Sequence, residues 1–293
     1  MNYGKSNLSR RKKQISSKKK SARSVAPFFW KRATNSYARR RAAVLSKKRK
    51  KKRVGVRFFK ALIICFLLLI VIGAAGIGIY VKKVIDNTPE VTAKDIMPQG
   101  YTTNIVDSNG TLLEQLKDSD SNRVYKKYDE ISPYMGKAFV AIEDERFYKH
   151  NGIDIQGIIR AGVNGVAHGF HFTEGASTLT QQLIKNTVLT TWTQEKTLGE
   201  RIKRKVQEQY LAIQLEKDTN DKSKILEQYM NTINLGQNTL GVQAASKRYF
   251  NKNVWELSLS ECATIAGITQ NPSRFNPLSE NGRKRNEEKR RVI

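Results

Sequence analysis

Ala141-Ile142-Glu143-Asp144-Glu145-Arg146-Phe147-Tyr148-Lys149-His150-Asn151-Gly152-Ile153-Asp154 is the stretch from which the fold is read. It puts carboxylates at the end of an amphipathic helix, where the backbone has to turn. Upstream, Ser132 and Pro133 make a helix start, a capping side chain followed by proline at the first helical position, and Met135, Ala138, Phe139 and Ile142 then recur at helical spacing. That stripe can bury, which leaves Glu143 beside it at the helix exit. Asn151-Gly152 permits a left-handed turn, and Asp154 is placed to cap a second helix on which Ile155, Ile158, Ile159, Val163 and Val166 read as one face. A carboxylate half sheltered at such an edge suits acid or base work, although from this stretch alone a solvated helix end is the commoner case.

Charge divides the chain before any motif does. Residues 1–60 hold 23 of the 53 Lys and Arg and no Asp or Glu, leaving 30 basic against 26 acidic side chains in the rest. Runs such as Lys18 to Lys20, Arg39 to Arg41 and Lys47 to Arg53 cannot bury a core, so residues 1–57 are expected to form a disordered basic tail. By itself that composition would suggest nucleic-acid binding.

The next segment argues against it. Residues 61–81 carry no charge, and at helical rise they span about 31 Å, enough to cross the hydrocarbon core. A transmembrane signal anchor is expected over residues 58–81, retained because it lacks a small-residue cleavage site. The excess of Lys and Arg before it predicts a single-pass type II protein of the cell membrane, with the N-terminus in the cytoplasm and the catalytic part on the extracytoplasmic face. The tail then serves topology and contacts anionic lipid, with no nucleic acid expected. Cys65 falls within the span and Cys262 is the only cysteine beyond it, so the exported part holds no internal disulfide and must be stable by its core.

Residues 82–128 read as a juxtamembrane linker with a short hairpin, its strands joined at Asn109-Gly110. Beyond Ser132 the pattern is almost wholly helical, broken by Gly, Asn and Pro. The loop 165–175, with Phe170, His171 and Phe172, is amphipathic enough to enter a membrane interface, though a loop packing its own aromatics is the simpler reading. His168 and His171 lack further ligands at metal-binding spacing, so no metal site is assigned.

On a helix starting near Ser177, the positions Ser177, Gln181 and Lys185 follow at steps of four, with Thr178 and Gln182 beside them and Leu179 and Leu183 opposite. Such a face suits the hydroxyls and phosphate of a polar ligand, or else plain solvation. A further helix, about Leu198 to Glu216, is expected to bury Leu198, Ile202, Val206, Tyr210 and Ile213, with Arg201, Arg204, Lys205 and Glu208 on a neighbouring face. Glu208 is there either an intrahelical ion pair or a carboxylate within a phosphate-binding cluster. Ser258 with Glu261 forms a capping box.

Together these residues resemble the peptidoglycan glycosyltransferase domain of class A penicillin-binding proteins and monofunctional transglycosylases (glycosyltransferase family 51). All five motifs of the family are represented over residues 129–278. Glu143-Asp144, Phe147, His150, Gly152 and Asp154 resemble the first; Gly175, Ser177, Thr178, Gln181, Gln182, Lys185 and Asn186 the second; Arg204, Lys205, Glu208, Ala212, Leu215 and Glu216 the third. Ile225-Leu226-Glu227, Tyr229, Asn231 and Gly236 are similar to the fourth, and Ala263, Ala266, Gly267, Pro272 and Pro277 to the fifth. Ala176 departs from a common glycine. The span from Lys185 to Glu208 is longer than in many members, so the basic residue usual between the second and third motifs is either Lys196 or Arg201.

The resemblance implies a mainly α, lysozyme-like domain behind a single N-terminal transmembrane helix, polymerising lipid II into a β-1,4-linked glycan strand with release of polyprenyl diphosphate. Glu143 is the expected general base, since a sugar hydroxyl is a poor nucleophile, and a base rather than a covalent nucleophile goes with inversion at the anomeric carbon. Glu208 is the second catalytic carboxylate. Asp144, Ser177, Thr178, Gln181, Gln182, Lys185, Asn186, Arg204 and Lys205 are the expected substrate-binding residues, the cations stabilising the leaving diphosphate. The resemblance assigns no definite cofactor, and a divalent cation, Mg or Mn, held by the diphosphate is compatible with the chemistry. Implied partners are lipid II, the growing glycan strand, the membrane and other cell-wall synthesis proteins. Two other classes compete: a lysozyme-like hydrolase or lytic enzyme with Glu143 as acid, and a non-catalytic membrane scaffold with a basic cytoplasmic tail. Residues 279–293 are a highly charged C-terminal segment that leaves no room for a transpeptidase domain and reads either as cut short or as the end of a short gene product.

Overall fold

The computed structural model describes residues 28–98, 103–116, 122–169 and 175–293. The chain divides into two compact units, Met1–Gly78 and Ile79–Ile293. In order, the elements are α1 (Phe28–Asp86), β1 (Thr103–Val106), β2 (Leu112–Leu116), α2 (Pro133–Glu143), α3 (Ile155–Ala167), α4 (Leu179–Thr187), α5 (Leu198–Thr219), α6 (Lys222–Thr232), α7 (Val242–Phe250), α8 (Leu259–Ala266) and α9 (Glu280–Arg290). The protein is mainly α, as expected.

Within α1, Val56–Asp86 is long and apolar enough to cross a membrane, and it is the one such segment among the described residues. Leu62, Phe66, Leu69 and Ile72 are exposed along it. Residues 28–57, expected to be disordered, belong to the same helix. They contain no proline and one glycine, Gly55. Ala, Arg and Lys are good helix formers, and extending a helix that is already nucleated avoids the costly first turn. Residues 1–27 lie outside the described part.

The second unit holds the core. Met135 and Phe139 of α2, Leu183 and Ile184 of α4, Leu211 and Leu215 of α5, Leu226 and Tyr229 of α6 and Ile265 of α8 are all buried. The rings of Phe139 and Tyr229 meet edge to face at 5.4 Å. α2 packs on α8, while α4 packs on both α5 and α6, so α4 is the element through which the site is assembled.

The stretch read as a linker is partly core. Val84 is buried, and Val91 and Ile96 are buried within the main cluster; each such side chain contributes about 1.5–3 kcal/mol by leaving water. Thr88 Oγ1 also accepts a bond of 3.2 Å from Gln207 Nε2 on α5. The hairpin is present as expected, antiparallel, with Asp107 accepting from the backbone of Asn109 and Thr111 at a turn where Gly110 has φ +81°. After it, the segment before α2 is tied to α6 by Asn231, which exchanges two bonds of 2.8 Å with the backbone of Lys126.

Two helices turn a different face inward from the one the sequence suggests. On α3, Ile155, Ile158, Ile159, Val163 and Val166 are 37–66% exposed, and the helix buries Gly157, Ala161 and Gly165 instead. On α5, Leu198 is 72% exposed and Ile202 and Ile213 are exposed as well, while Glu208, Leu211, Ala212, Leu215 and Glu216 face in. Acidic residues are tolerated inside because each meets cations: Arg204 and Lys205 at Glu208, Lys222 at Glu216. The charged residues 279–293 form α9, held by Asn286, whose buried amide donates to Thr264 O and Phe275 O at 3.0 and 3.1 Å.

Candidate active site

Glu143 is the last residue of α2, as expected, and its carboxylate receives two donors from distant parts of the chain. Gln182 Nε2 of α4 donates to Oε2 at 2.8 Å, and the hydroxyl of Thr269, just beyond α8, donates to Oε1. Tyr229 donates in turn to Gln182 Oε1 at 3.3 Å, which fixes the amide's orientation. Burial pushes the Tyr229 phenol well above its usual pKa, and the charges of Glu143 and Asp144 push the same way; it stays a donor at every relevant pH.

The turn after Glu143 is a scaffold. Asp144 is buried, accepts from the backbone N–H of Leu179 at 3.0 Å and so caps α4; it also takes the Nε2–H of His150 at 2.9 Å. Gly152 has φ +89°, and a Cβ there would stand 2.6 Å from the backbone of Ala212. Its carbonyl accepts from Thr178 Oγ1 at 2.8 Å and from Gln181 Nε2 at 3.2 Å. Asp154 caps α3 through Gly157 N at 3.0 Å and binds Arg146 at 2.6 Å, a contact that holds the Asp154 carboxyl below its usual pKa. Around it, Lys222 lies over the Phe147 ring at 4.4 Å, donates to His150 O and pairs with Glu216, which also accepts from Thr180.

The second motif is therefore divided between two duties. The helix starts at Leu179 with Thr178 as its cap, so Ser177 precedes it. Thr178 and Gln181 are buried and bonded to Gly152 O, and Asp144 is bonded to Leu179 N and His150, so each of these three expected substrate ligands has a side-chain contact within the protein. With the cap at Thr178, Gln181 is buried while Gln182 and Lys185 stay partly exposed. Gln182 and Lys185 face Glu143 and the cations. Asn186 is half buried.

The third motif supplies a compact ionic cluster. Glu208 is 1% exposed; it binds the Arg204 guanidinium through Oε1 and Lys205 Nζ through Oε2 at 2.7 Å. Lys205 also donates to Ser177 Oγ at 2.8 Å. Arg204 reaches Glu195 through Nε at 2.7 Å, and although burial works against its charge, the two carboxylates raise its pKa above the usual value. Lys185 is in electrostatic reach of both acidic centres. Burial lowers its pKa; Glu208 and Glu143 pull it back up, while Lys205 and Arg204 add to the lowering. One ammonium thus lies in the fields of both carboxylates, with three cations gathered where an anion can be met.

Sequence reading did not find Thr269, Glu195 or Trp192, whose ring lies 4.6 Å from Lys185 Nζ. Thr269 is 126 residues from Glu143, and no local spacing announces such a pair. Lys196 and Arg201, the two alternatives for the intermotif cation, are both exposed. Among the described residues no three His, Cys, Asp or Glu side chains form a metal-binding group, and His168 bonds the carbonyl of Asn164. Phe170, His171 and Phe172 lie outside the described residues.

Residues 109–293 match a family model described as Transglycosylase. The chain is similar to penicillin-binding protein 1A of Clostridium botulinum strain Langeland, at 42% identity over 229 residues, 77% of this chain and 27% of that protein. It is also similar to penicillin-binding protein 1A of Clostridium perfringens strain 13, 41% identical over 76% of this chain and 32% of the relative, and to that of Escherichia coli K12, 42% identical over 76% and 25%. The chain spans between a quarter and a third of the length of these relatives. Since the matched residues make up well over half of it, the chain belongs to the transglycosylase family.

Proposed function

We propose that this chain is a membrane-anchored peptidoglycan glycosyltransferase that polymerises lipid II, with Glu143 as general base and the Lys185, Arg204 and Lys205 cluster receiving the polyprenyl diphosphate. The observation that supports this most is the Glu143 carboxylate at the end of α2, held by Gln182 of α4, the same short helix that carries Lys185. A base and a separate cationic leaving-group site suit an in-line displacement with inversion. Glu143 takes the proton of the acceptor's 4-hydroxyl as that oxygen attacks the donor's anomeric carbon. The C1–O bond to the diphosphate breaks, and its electron pair leaves with the phosphate oxygen.

Each neighbour then has a task. Gln182 and Thr269 orient the Glu143 carboxylate; Glu208, with both oxygens on cations, positions Arg204 and Lys205 and has no free edge for proton transfer. A divalent ion would be held by the diphosphate itself and would neutralise part of its charge, because the carboxylates of this cluster are already paired with cations. The chain's placement follows from the substrate: a polyprenyl group stays in the bilayer, so residues beyond α1 work at the outer membrane surface, with the tail inside on anionic lipid. The exposed apolar face of α3 is the contact offered to the lipid boundary.

Incubating the full chain with lipid II tests this. Polymer and released polyprenyl diphosphate are expected from the wild type, and Glu143→Gln is expected to be slower by 10²–10⁴-fold, the usual worth of a general base. Cleavage of preformed glycan without use of lipid II would replace the proposal with a hydrolase; full cellular function in Glu143→Gln would replace it with a scaffold.

A further inference from the structure

The connection between α4 and α5 carries two contacts that none of the family motifs contains. Its 3₁₀ turn, Thr190–Gln194, lays Trp192 against Lys185, and the next residue, Glu195, binds Arg204. Arg204 therefore sits between two carboxylates of unlike character. Glu208 is 1% exposed and holds two cations; Glu195 is 14% exposed and holds one. Glu195 and Arg204 also line a cavity of about 320 Å³, together with Thr191, Gln194, Lys203 and Gln207.

We infer that Glu195 is an internal counter-anion that occupies one edge of Arg204 in the free protein and weakens the cluster's hold on the diphosphate, so that the product can leave. This rests on the proposed reaction. Lys185, Arg204 and Lys205 against Glu195 and Glu208 leave one net positive charge; without Glu195 there would be two. Orientation does not depend on Glu195 alone, since Glu208 keeps its own bond to the guanidinium. What Glu195 contributes is a negative charge that a bound phosphate must face or displace. At a separation of roughly 7 Å and an effective dielectric of about 40, one such charge changes anion affinity on the order of tenfold. Glu195 is thus a positioning and tuning residue that acts through Arg204.

The test is calorimetric titration of inorganic pyrophosphate into the full chain, beside steady-state polymerisation of lipid II, for wild type, Glu195→Gln, Glu195→Ala and Glu195→Asp. The Gln and Ala variants are expected to bind pyrophosphate about tenfold tighter, with KM and kcat both reduced because release has become slow. Glu195→Asp keeps the charge and should stay within about twofold of wild type. Weaker binding by Gln and Ala would mean that Glu195 merely holds Arg204 in place, and unchanged binding would make it a bystander; either overturns the inference while leaving polymerisation intact. A wild type that neither binds pyrophosphate nor polymerises lipid II would instead remove the reading of the whole site.

Discussion

Glu208→Gln separates a structural from a functional account of the cation cluster when it is compared with Glu216→Gln. Both glutamates are on α5, two turns apart and buried, and each meets a cation: Arg204 and Lys205 for Glu208, Lys222 for Glu216. Breaking a buried pair costs about 3–5 kcal/mol when the partner is stranded. Here the partners are not stranded. Arg204 keeps Glu195, Lys205 is 44% exposed and keeps Ser177, and Lys222 keeps His150 O. An amide also retains one acceptor for each site, so about 2 kcal/mol is a reasonable loss for either change, or about 4–8 °C in melting temperature for a domain of this size. The catalytic consequences should diverge. Glu208→Gln frees Arg204 and Lys205 from their common anchor, and losing one preorganised electrostatic contact lowers turnover about 10²–10³-fold; Glu216→Gln leaves the cluster alone and should retain activity within about threefold, a factor worth roughly 0.7 kcal/mol. Lipid II polymerisation, measured well below both melting points, decides. Equal losses in the two variants would show that Glu208 matters only for stability and would refute its placement in the phosphate site.

Other outcomes follow from single features. Burial lowers the pKa of Lys185, and in the proposed reaction the ammonium form is the one that meets the diphosphate. Activity should therefore fall on the alkaline side at a pH below the ordinary lysine range of about 10.4, and Lys185→Arg should move that limb upward; a limb unmoved by the substitution would assign it elsewhere. Gly152→Ala forces a Cβ to within 2.6 Å of the Ala212 backbone at φ +89°, so a loss of several kcal/mol in chemical denaturation, about 3 or more, is expected. A change below about 1 kcal/mol would mean that the turn gives way easily. Ile159→Asn with Val163→Asn on exposed α3 should leave melting within a few degrees, yet reduce binding of the part beyond α1 to lipid vesicles; undiminished binding would exclude that face from the membrane contact.

How much could be read in the sequence depended on how local the cause was. The α2 start at Ser132-Pro133, Glu143 at its end, the Asp154 cap, the hairpin turn at Asn109-Gly110 and the Ser258–Glu261 capping box are set by neighbours within four residues, and all are present, except that the Ser132 side chain does not cap α2 and donates instead to Leu257 O at 3.2 Å. The inward face of α5 was not legible, because hydrophobic spacing favoured Ile202 and Ile213 while the helix turned Glu208 and Glu216 inward: their cations are near in sequence, but the side that packs on α4 is set by the tertiary fold. The same holds for Gln181 against Gln182: one residue of register at the Thr178 cap decides which amide supports Gly152 and which meets Glu143. Thr269 belongs to the least visible kind, since its only signal is a partner far along the chain.

The joint at Gly152 has a consequence for engineering. Its carbonyl serves Thr178 and Gln181, its missing side chain admits Ala212, and Asp144 ends on the amide of Leu179. The two loops and the middle of α5 are therefore a single interlocked part. A chimera that imports one loop from a homologue while keeping the other should misassemble, whereas transplanting residues 143–154, 177–186 and 204–216 together should preserve the joint.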